Sequence, residues 1–463
     1  MLFTLLLSAL GAVAAGPVAS RADSYSLCDA KCIEAYETAL RGEIRLWASP
    51  DFDSDRFYDT PANATGAKPG DLLKWQDVPT ALVGTNFTGV TGGMSLSRFL
   101  YVSEDQDRNP VAASAFVLLP YSLETSGEPD ATQFRTLAWA HGTTGNARKC
   151  APSNNMNLAY GWEGPMFFAA NGYAVIGTDY AGMGTKIPGG FQYEAGYMHA
   201  ADVAYSVIAA RKMIGHLLTP EWAVIGHSEG GMTAWRTNER LAMDDQDELH
   251  KAGNFLGAVA AAPALRPYDL IRESIQIAGD GPLGAVVSVY LLQSMQGLFP
   301  ELQVKDWLTP EAQELIPLLE KSCLTSGSAL WSRLTVKQIF TNTTWVNSPA
   351  MKDWQERING AGPEGKPHAL AAPMLVVQGL NDTLTYAPNC IADFDATCKA
   401  HPTSSAELLL VPDLDHDPSF YAAQPYYWAW IQRLFAGRCK QRRCTKVTLK
   451  PVTNHFQKAY WGY

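Results

Sequence analysis

The stretch EWAVIGHSEGGMTAW, Glu221 to Trp235, decides how the chain is read. Its apolar run Ala223–Ile225 reads as a buried strand, Gly226-His227-Ser228-Glu229-Gly230-Gly231 as a sharp turn, and GMTAWRTNERLAM as a helix. A bare G-x-S-x-G arises by chance in roughly one chain in six of this length. The strand-turn-helix setting raises it to a nucleophile elbow, a turn so tight that side chains two before and two after the serine would collide. Gly226 and Gly230 stand at those positions, and Gly231 lets the helix pack closely. The alternative is a structural turn carrying an idle serine, and the partners of Ser228 decide between them.

A serine hydroxyl needs a base to take its proton and a carboxylate to orient that base. Downstream, PMLVVQGLNDTLTY reads as a strand with Asp382 on the loop at its carboxyl end, and AELLLVPDLDHDPSF as the next strand with His416 on the following loop. The order Ser228, Asp382, His416 fits acid after nucleophile and base last. Asp413, Asp415 and Asp417 are alternative acids, or the charges that would stabilise His416 as a surface residue. Among the nine histidines, His141, His227 and His368 also fall near strand ends. His227 points away from its neighbour Ser228, and the other two precede the acid or the required strand. For the oxyanion, one donor is expected from the backbone N–H of Glu229 and the other from WAHGTTGNARKCAPS, through Thr143 or Thr144. Alone, HGTTG could be a flexible turn.

Further runs extend the pattern. SLSRFLYVSED and AASAFVLLP read as paired strands; RTLAWAHG, YAVIGTDY, WAVIGHS, LGAVAAAPA, APMLVVQG and AELLLVPD read as buried strands, with the helical Tyr197–Leu218 among them. Strands alternating with helices predict an α/β fold, a mainly parallel sheet with helices on both faces. About a hundred residues of helical character interrupt it, with Thr309-Pro310 and Ser348-Pro349 as helix starts. This predicts residues 21–267 and 366–463 as the core and 268–365 as a helical cap, or lid, over the strand ends, where open parallel sheets bind ligands. Leu283–Phe299 could line an acyl channel or be an ordinary packed cap helix. Residues 21 to about 90 carry no clear pattern.

At 463 residues and 47% hydrophobic content the chain can bury a large core. A net charge of −10 without a basic run argues against nucleic acid. Residues 1–20 read as a secretory signal peptide, since the apolar Leu2–Leu10 is too short to span a bilayer and no stop-transfer segment follows. Eight cysteines agree with export, and sequence proximity suggests Cys28-Cys32, Cys390-Cys398 and Cys439-Cys444, leaving Cys150-Cys323 as a long-range staple, one of 105 arrangements. Their spacing does not suit zinc. Asn63, Asn86 and Asn342 head glycosylation sequons; Asn381 heads a fourth and is expected to be unmodified, because a glycan would crowd the site.

With these features placed, the chain resembles the α/β-hydrolase fold and, within it, the fungal secretory lipase family, the Candida antarctica lipase A-like hydrolases. HGTTGNARKCAPSNN, YAVIGTDYAGMGT, the elbow, the large helical insertion and GLNDTL carry the resemblance, from about residue 95 to 435. It implies Ser228, Asp382 and His416 as the triad and a lid disulfide matching Cys150-Cys323. The chain departs from the family at Glu229, where the family has a smaller residue, and by threonine in place of an acidic residue in the oxyanion loop. The expected activity is secreted serine carboxylic-ester hydrolysis through an acyl-enzyme, without metal or organic cofactor. The expected substrate is a small-molecule or lipid ester, with transient contact to a lipid interface and no obligate protein partner. Rival readings are a short-acyl esterase deacetylating a fungal metabolite such as a trichothecene, a serine peptidase of the same fold, and an inactive binding relative. The full set Ser228, Asp382, His416 argues against the last, and serine instead of aspartate at the elbow excludes dehalogenase chemistry.

Overall fold

The structure, a computed structural model, describes residues 25–123, 131–284, 286–363, 366–439 and 443–459. The expected signal peptide, residues 1–20, lies outside the described residues. Ten strands form one sheet: β1 (Leu72–Asp77), β2 (Met94–Glu104), β3 (Pro110–Pro120), β4 (Phe134–Ala140), β5 (Ala174–Thr178), β6 (Leu218–His227), β7 (Asn254–Ala261), β8 (Met374–Gly379), β9 (Ala406–Val411) and β10 (Cys444–Thr448). Their order is β1-β2-β3-β5-β4-β6-β7-β8-β9-β10. The pairings that join β1, β2, β3 and β5 are antiparallel, and every pairing from β5 across to β10 is parallel.

The sheet is covered on both sides, which is why its central strands read as unbroken apolar runs. Alternate residues still divide between the faces. Ala138, Val224, Ala260 and Val376 pack toward the helices Gly196–Ile214 and Glu229–Arg240 on one side. Leu137, Ile225, Val259 and Val377 pack toward Pro165–Ala170 and Gln424–Phe435 on the other.

Two edge strands escaped the sequence reading. β1 and β10 are only partly buried, β1 carrying Lys74, Gln76 and Asp77 and β10 carrying Lys446 between threonines, so neither shows the alternation of a covered strand. A helix at Ala30–Leu46 also lies in the stretch that carried no pattern; Asp29 caps it by accepting from Cys32 N.

Between β7 and β8 the described residues add no strand to the sheet. Helices at Pro267–Ala278, Val287–Leu298 and Leu324–Trp331, with shorter turns, pack around Tyr290, Leu292, Trp331 and Trp354 in a core that also takes in Tyr180, Met183, Phe191 and Tyr193 of the segment after β5. Val287–Leu298 buries Val289, Tyr290, Leu291, Leu292 and Met295, so it is a packed cap helix here. The first helix is docked on this cap. Glu43 accepts from the N–H groups of Cys323 (3.0 Å) and Ser326 (2.8 Å) and from the Ser326 hydroxyl (2.5 Å), closing the start of Leu324–Trp331.

The disulfides are Cys28–Cys32, Cys150–Cys323 and Cys398–Cys444. The expected Cys390-Cys398 and Cys439-Cys444 pairs are therefore corrected. Cys390 and Cys398 share the helix Ala387–Ala400 and sit eight residues apart, about 12 Å along its axis, beyond the reach of a disulfide. Parallel pairing of β10 with β9 brings Cys444 to Cys398 instead, and Cys390 and Cys439 remain thiols. Of the sequons, Asn63 and Asn342 are exposed, whereas Asn86 is half buried and donates through Nδ2 to Ala48 O at 2.7 Å. Among the described residues no helix is long and apolar enough to cross a membrane.

Candidate active site

β6 ends at His227 and a helix begins at Glu229, leaving Ser228 alone in the turn at φ 61°, ψ −121°. A non-glycine residue in this region is strained by about 1–3 kcal/mol. The strain is held in place: Ser228 N–H donates to Ala261 O of β7 at 2.9 Å, and the glycines permit no relaxation. A Cβ on Gly226 would lie 2.1 Å from Gly230 O, one on Gly230 2.0 Å from Ala140 O, and one on Gly231 2.2 Å from Ala261 O. The turn lifts Ser228 to partial exposure between fully buried neighbours.

The loops after β8 and β9 bring Asp382 and His416 together. His416 Nδ1 is 2.9 Å from Asp382 Oδ2. That carboxylate is fixed by the N–H groups of Leu384 (2.9 Å) and Thr385 (2.8 Å), the Thr385 hydroxyl (2.7 Å) and Gln378 Nε2 (3.2 Å). Burial opposes its charge, but the His416 imidazolium and these donors outweigh burial and hold Asp382 well below the ordinary carboxylate range. Burial likewise opposes a charged His416, yet Asp382, then Asp417 and Asp415, raise it to about 9. Gln378 and Thr385 were not read as site residues; both belong to the strand-loop that carries Asp382, which was the available signal. The rival acids have other places. Asp415 caps the helix His416–Ala422 and accepts from Thr383 N–H and hydroxyl. Thr383 is the hydroxyl residue of the Asn381 sequon, so that sequon is built into the loop joining acid and base.

On the opposite side of Ser228, Glu229 is the first residue of its helix, a position whose N–H has no intrahelical acceptor. The HGTTG loop packs on the elbow: a Cβ on Gly142 would lie 2.9 Å from His227 O. The two threonines differ. Thr143 Oγ1 is hydrogen-bonded to Tyr193 OH at 2.8 Å, while Thr144 turns its hydroxyl to Met183 Sδ and its carbonyl accepts from Leu324 N at 2.9 Å. The Cys150–Cys323 bridge fastens the same loop to the cap.

The Glu229 side chain is wholly buried beside Glu194, also buried, whose N–H points at Glu229 Oε1 from 3.5 Å. His199 Nε2 is 3.0 Å from Gln192 O, so Nδ1, 3.7 Å from Glu229 Oε1, offers no proton. Burial pushes Glu229 up to about 8, against the Glu194 N–H and the Thr143 hydroxyl; burial and Glu229 push Glu194 well above its ordinary value. Burial therefore favours the neutral carboxyl at Glu229 over the charge expected from its residue type. Because its folded value lies above 4.5, stability falls as pH rises from there through about 8. Glu229→Gln, which keeps shape without an ionisable proton, is expected to melt above wild type at about pH 9, with the gap closing toward about pH 5, as thermal denaturation at both pH values would show.

Comparisons with known proteins agree with this geometry at the level of architecture. No protein-family model matches the chain, and no curated protein is similar to it by sequence. Among solved structures it is similar to Candida antarctica lipase A, with TM-score 0.66, 16% identity, and 88% of this chain and 91% of that one covered. The fold is the α/β-hydrolase fold. The rice cell wall degrading esterase LipA from Xanthomonas oryzae aligns with TM-score 0.58 and 18% identity over 83% of this chain and 100% of that one. Ser228, Asp382 and His416 stand on the loops at the carboxyl ends of β6, β8 and β9.

Proposed function

We propose that the protein is a secreted serine carboxylic-ester hydrolase acting through an acyl-enzyme. The observation that carries the reading is the Asp382–His416 pair, buried and over-determined by hydrogen bonds, on the loops beside the strained Ser228. In this mechanism Ser228 Oγ attacks the ester carbonyl while His416 Nε2 takes its proton and returns it to the leaving alcohol. Asp382, on Nδ1, holds the tautomer and stabilises the imidazolium. The N–H of Glu229 and the N–H or hydroxyl of Thr143 receive the oxyanion; the Thr144 hydroxyl faces Met183. Water then repeats the sequence on the acyl-enzyme. No step uses a cofactor. The three disulfides and the signal-peptide reading support export, and both lipase A and LipA support ester chemistry by fold.

A short-acyl substrate is favoured over a long-chain triglyceride by the cap helix Val287–Leu298, whose Val289, Tyr290, Leu291, Leu292 and Met295 are already buried against the cap and against Tyr193 beside Thr143. A p-nitrophenyl ester series, with and without an oil-water interface, tests this. The expected result is a maximum at acetate or butyrate without interfacial gain; a maximum at long chains with such a gain would establish a lipase.

Since His416 must be neutral to accept a proton, kcat/KM is expected to rise with pH along a limb centred near 9, above the usual histidine value. Asp382→Asn should bring that limb below about 6.5 and cost about 10⁴ in kcat, both visible in one pH-rate profile.

A further inference from the structure

His227 was set aside as pointing away from the serine, and its surroundings give it a different use. Its ring is 1% exposed, stacks on Phe420 at 4.8 Å and lies 4.7 Å from the His416 ring. Nδ1 is hydrogen-bonded to Tyr160 OH at 3.0 Å, but Nε2 makes no well-aligned hydrogen bond: the His416 backbone lies beside the ring and Asp417 Oδ1 faces the nitrogen from 3.8 Å. Packing against Phe420 explains the ring. It does not explain a completely buried nitrogen left without a well-aligned partner beside a carboxylate.

We propose that His227, His416 and Asp417 form a zinc-binding site whose occupation switches the hydrolase off. One donor atom from each of the three residues lies within 4.8 Å of the others. Tetrahedral zinc with bonds of about 2.0–2.1 Å places its ligands about 3.3 Å apart. His227 Nε2 and Asp417 Oδ1 are already 3.8 Å apart, and the Asp417 side chain is 30% exposed, so small side-chain shifts close the set around an ion. Two imidazoles and a carboxylate suit zinc better than magnesium or calcium. Each imidazole also has its other nitrogen fixed, His416 by Asp382 and His227 by Tyr160, which is how proteins hold metal-binding histidines in orientation. With both Nδ1 atoms committed, Nε2 is the free ligand on each ring. On His416 that is the atom assigned to the proton of Ser228, so bound zinc removes the base. The inhibitory half of the proposal rests on the ester-hydrolase reading; the binding half does not. The ion is an inhibitor, not a cofactor.

The experiment combines two measurements at one fixed pH of about 8, on the rising limb of His416, where a fraction of the rings is neutral and zinc competes with the proton on Nε2. Hydrolysis of p-nitrophenyl acetate is titrated with zinc chloride for wild type, His227→Asn and Asp417→Asn, each relative to its own metal-free rate, and reversed with a chelator. Separately, Ser228→Ala is titrated with cobalt(II) chloride and followed by its visible absorption. The expected result is chelator-reversible inhibition of wild type, a rise of at least about tenfold in the half-inhibiting zinc concentration in each variant, and a tetrahedral cobalt spectrum. Absence of inhibition, or equal inhibition of Asp417→Asn and wild type, would overturn the site, and Asp417→Asn keeps the test open if His227→Asn does not fold. A wild type that hydrolyses no ester but gives the cobalt spectrum would remove the catalytic reading and leave the metal site standing; an active wild type without the spectrum would do the reverse.

Discussion

Ser228→Ala is expected to lower kcat by about 10⁶ while leaving the fold and melting temperature essentially intact. The size follows from the unit Ser228 belongs to: without the hydroxyl, the Asp382–His416 pair has no nucleophile to deprotonate, and only binding and the oxyanion donors remain, worth about 10³–10⁴ over water. The fold should survive because no hydrogen bond of the Ser228 side chain holds the turn. Its backbone does, through the N–H to Ala261 O and the flanking glycines. The measurement is single-turnover release of p-nitrophenol with purified wild type and variant, beside circular dichroism. A variant that kept a tenth of wild-type kcat would place the nucleophile elsewhere.

The second large effect concerns stability. Cys150–Cys323 closes a loop of 173 residues, for which the chain-entropy argument gives about 5 kcal/mol of destabilisation of the unfolded state. Cys150→Ser with Cys323→Ser is expected to lose much of that and to melt well below wild type in denaturant or heat. Activity should fall too, and before unfolding, because Leu324 N–H donates to Thr144 O within the oxyanion loop next to the bridge. Comparing the temperature at which activity disappears with the temperature at which ellipticity disappears checks both. Coincident loss would mean that the loop does not depend on the cap.

How much of this was legible in the sequence depended on whether the determinant was local. The turn at Ser228 was readable because its geometry forces glycine at fixed offsets from one serine, and the places of Asp382 and His416 because each follows an apolar strand. The central strands were readable because burial on both faces leaves only apolar residues in them. Cys398–Cys444 was not, because it follows from the register of β10 on β9, a contact between segments with no shared pattern. The upward shift of Glu229 was equally hidden: it comes from complete burial of the carboxyl, which depends on how the loop holding Glu194, thirty-five residues upstream, packs over the elbow. The place of His227 beside His416 was not legible either, because it is set by Tyr160, from the segment before the helix Pro165–Ala170, and by Phe420, from the helix that His416 begins.

The docking of the first helix on the cap has a consequence for synthesis. Glu43 meets Cys323 across 280 residues of chain. At about 5–20 residues per second, the helix Ala30–Leu46 is complete about 15–60 s before its partner exists. Cys150 also emerges long before Cys323, into whatever oxidising environment receives the chain. Cys28 and Cys32, four residues apart, can close on each other at once and are then out of circulation. The shortest bridge in the molecule thus guards the longest: by consuming the two earlier thiols, it leaves Cys150 no wrong partner to take before the cap arrives.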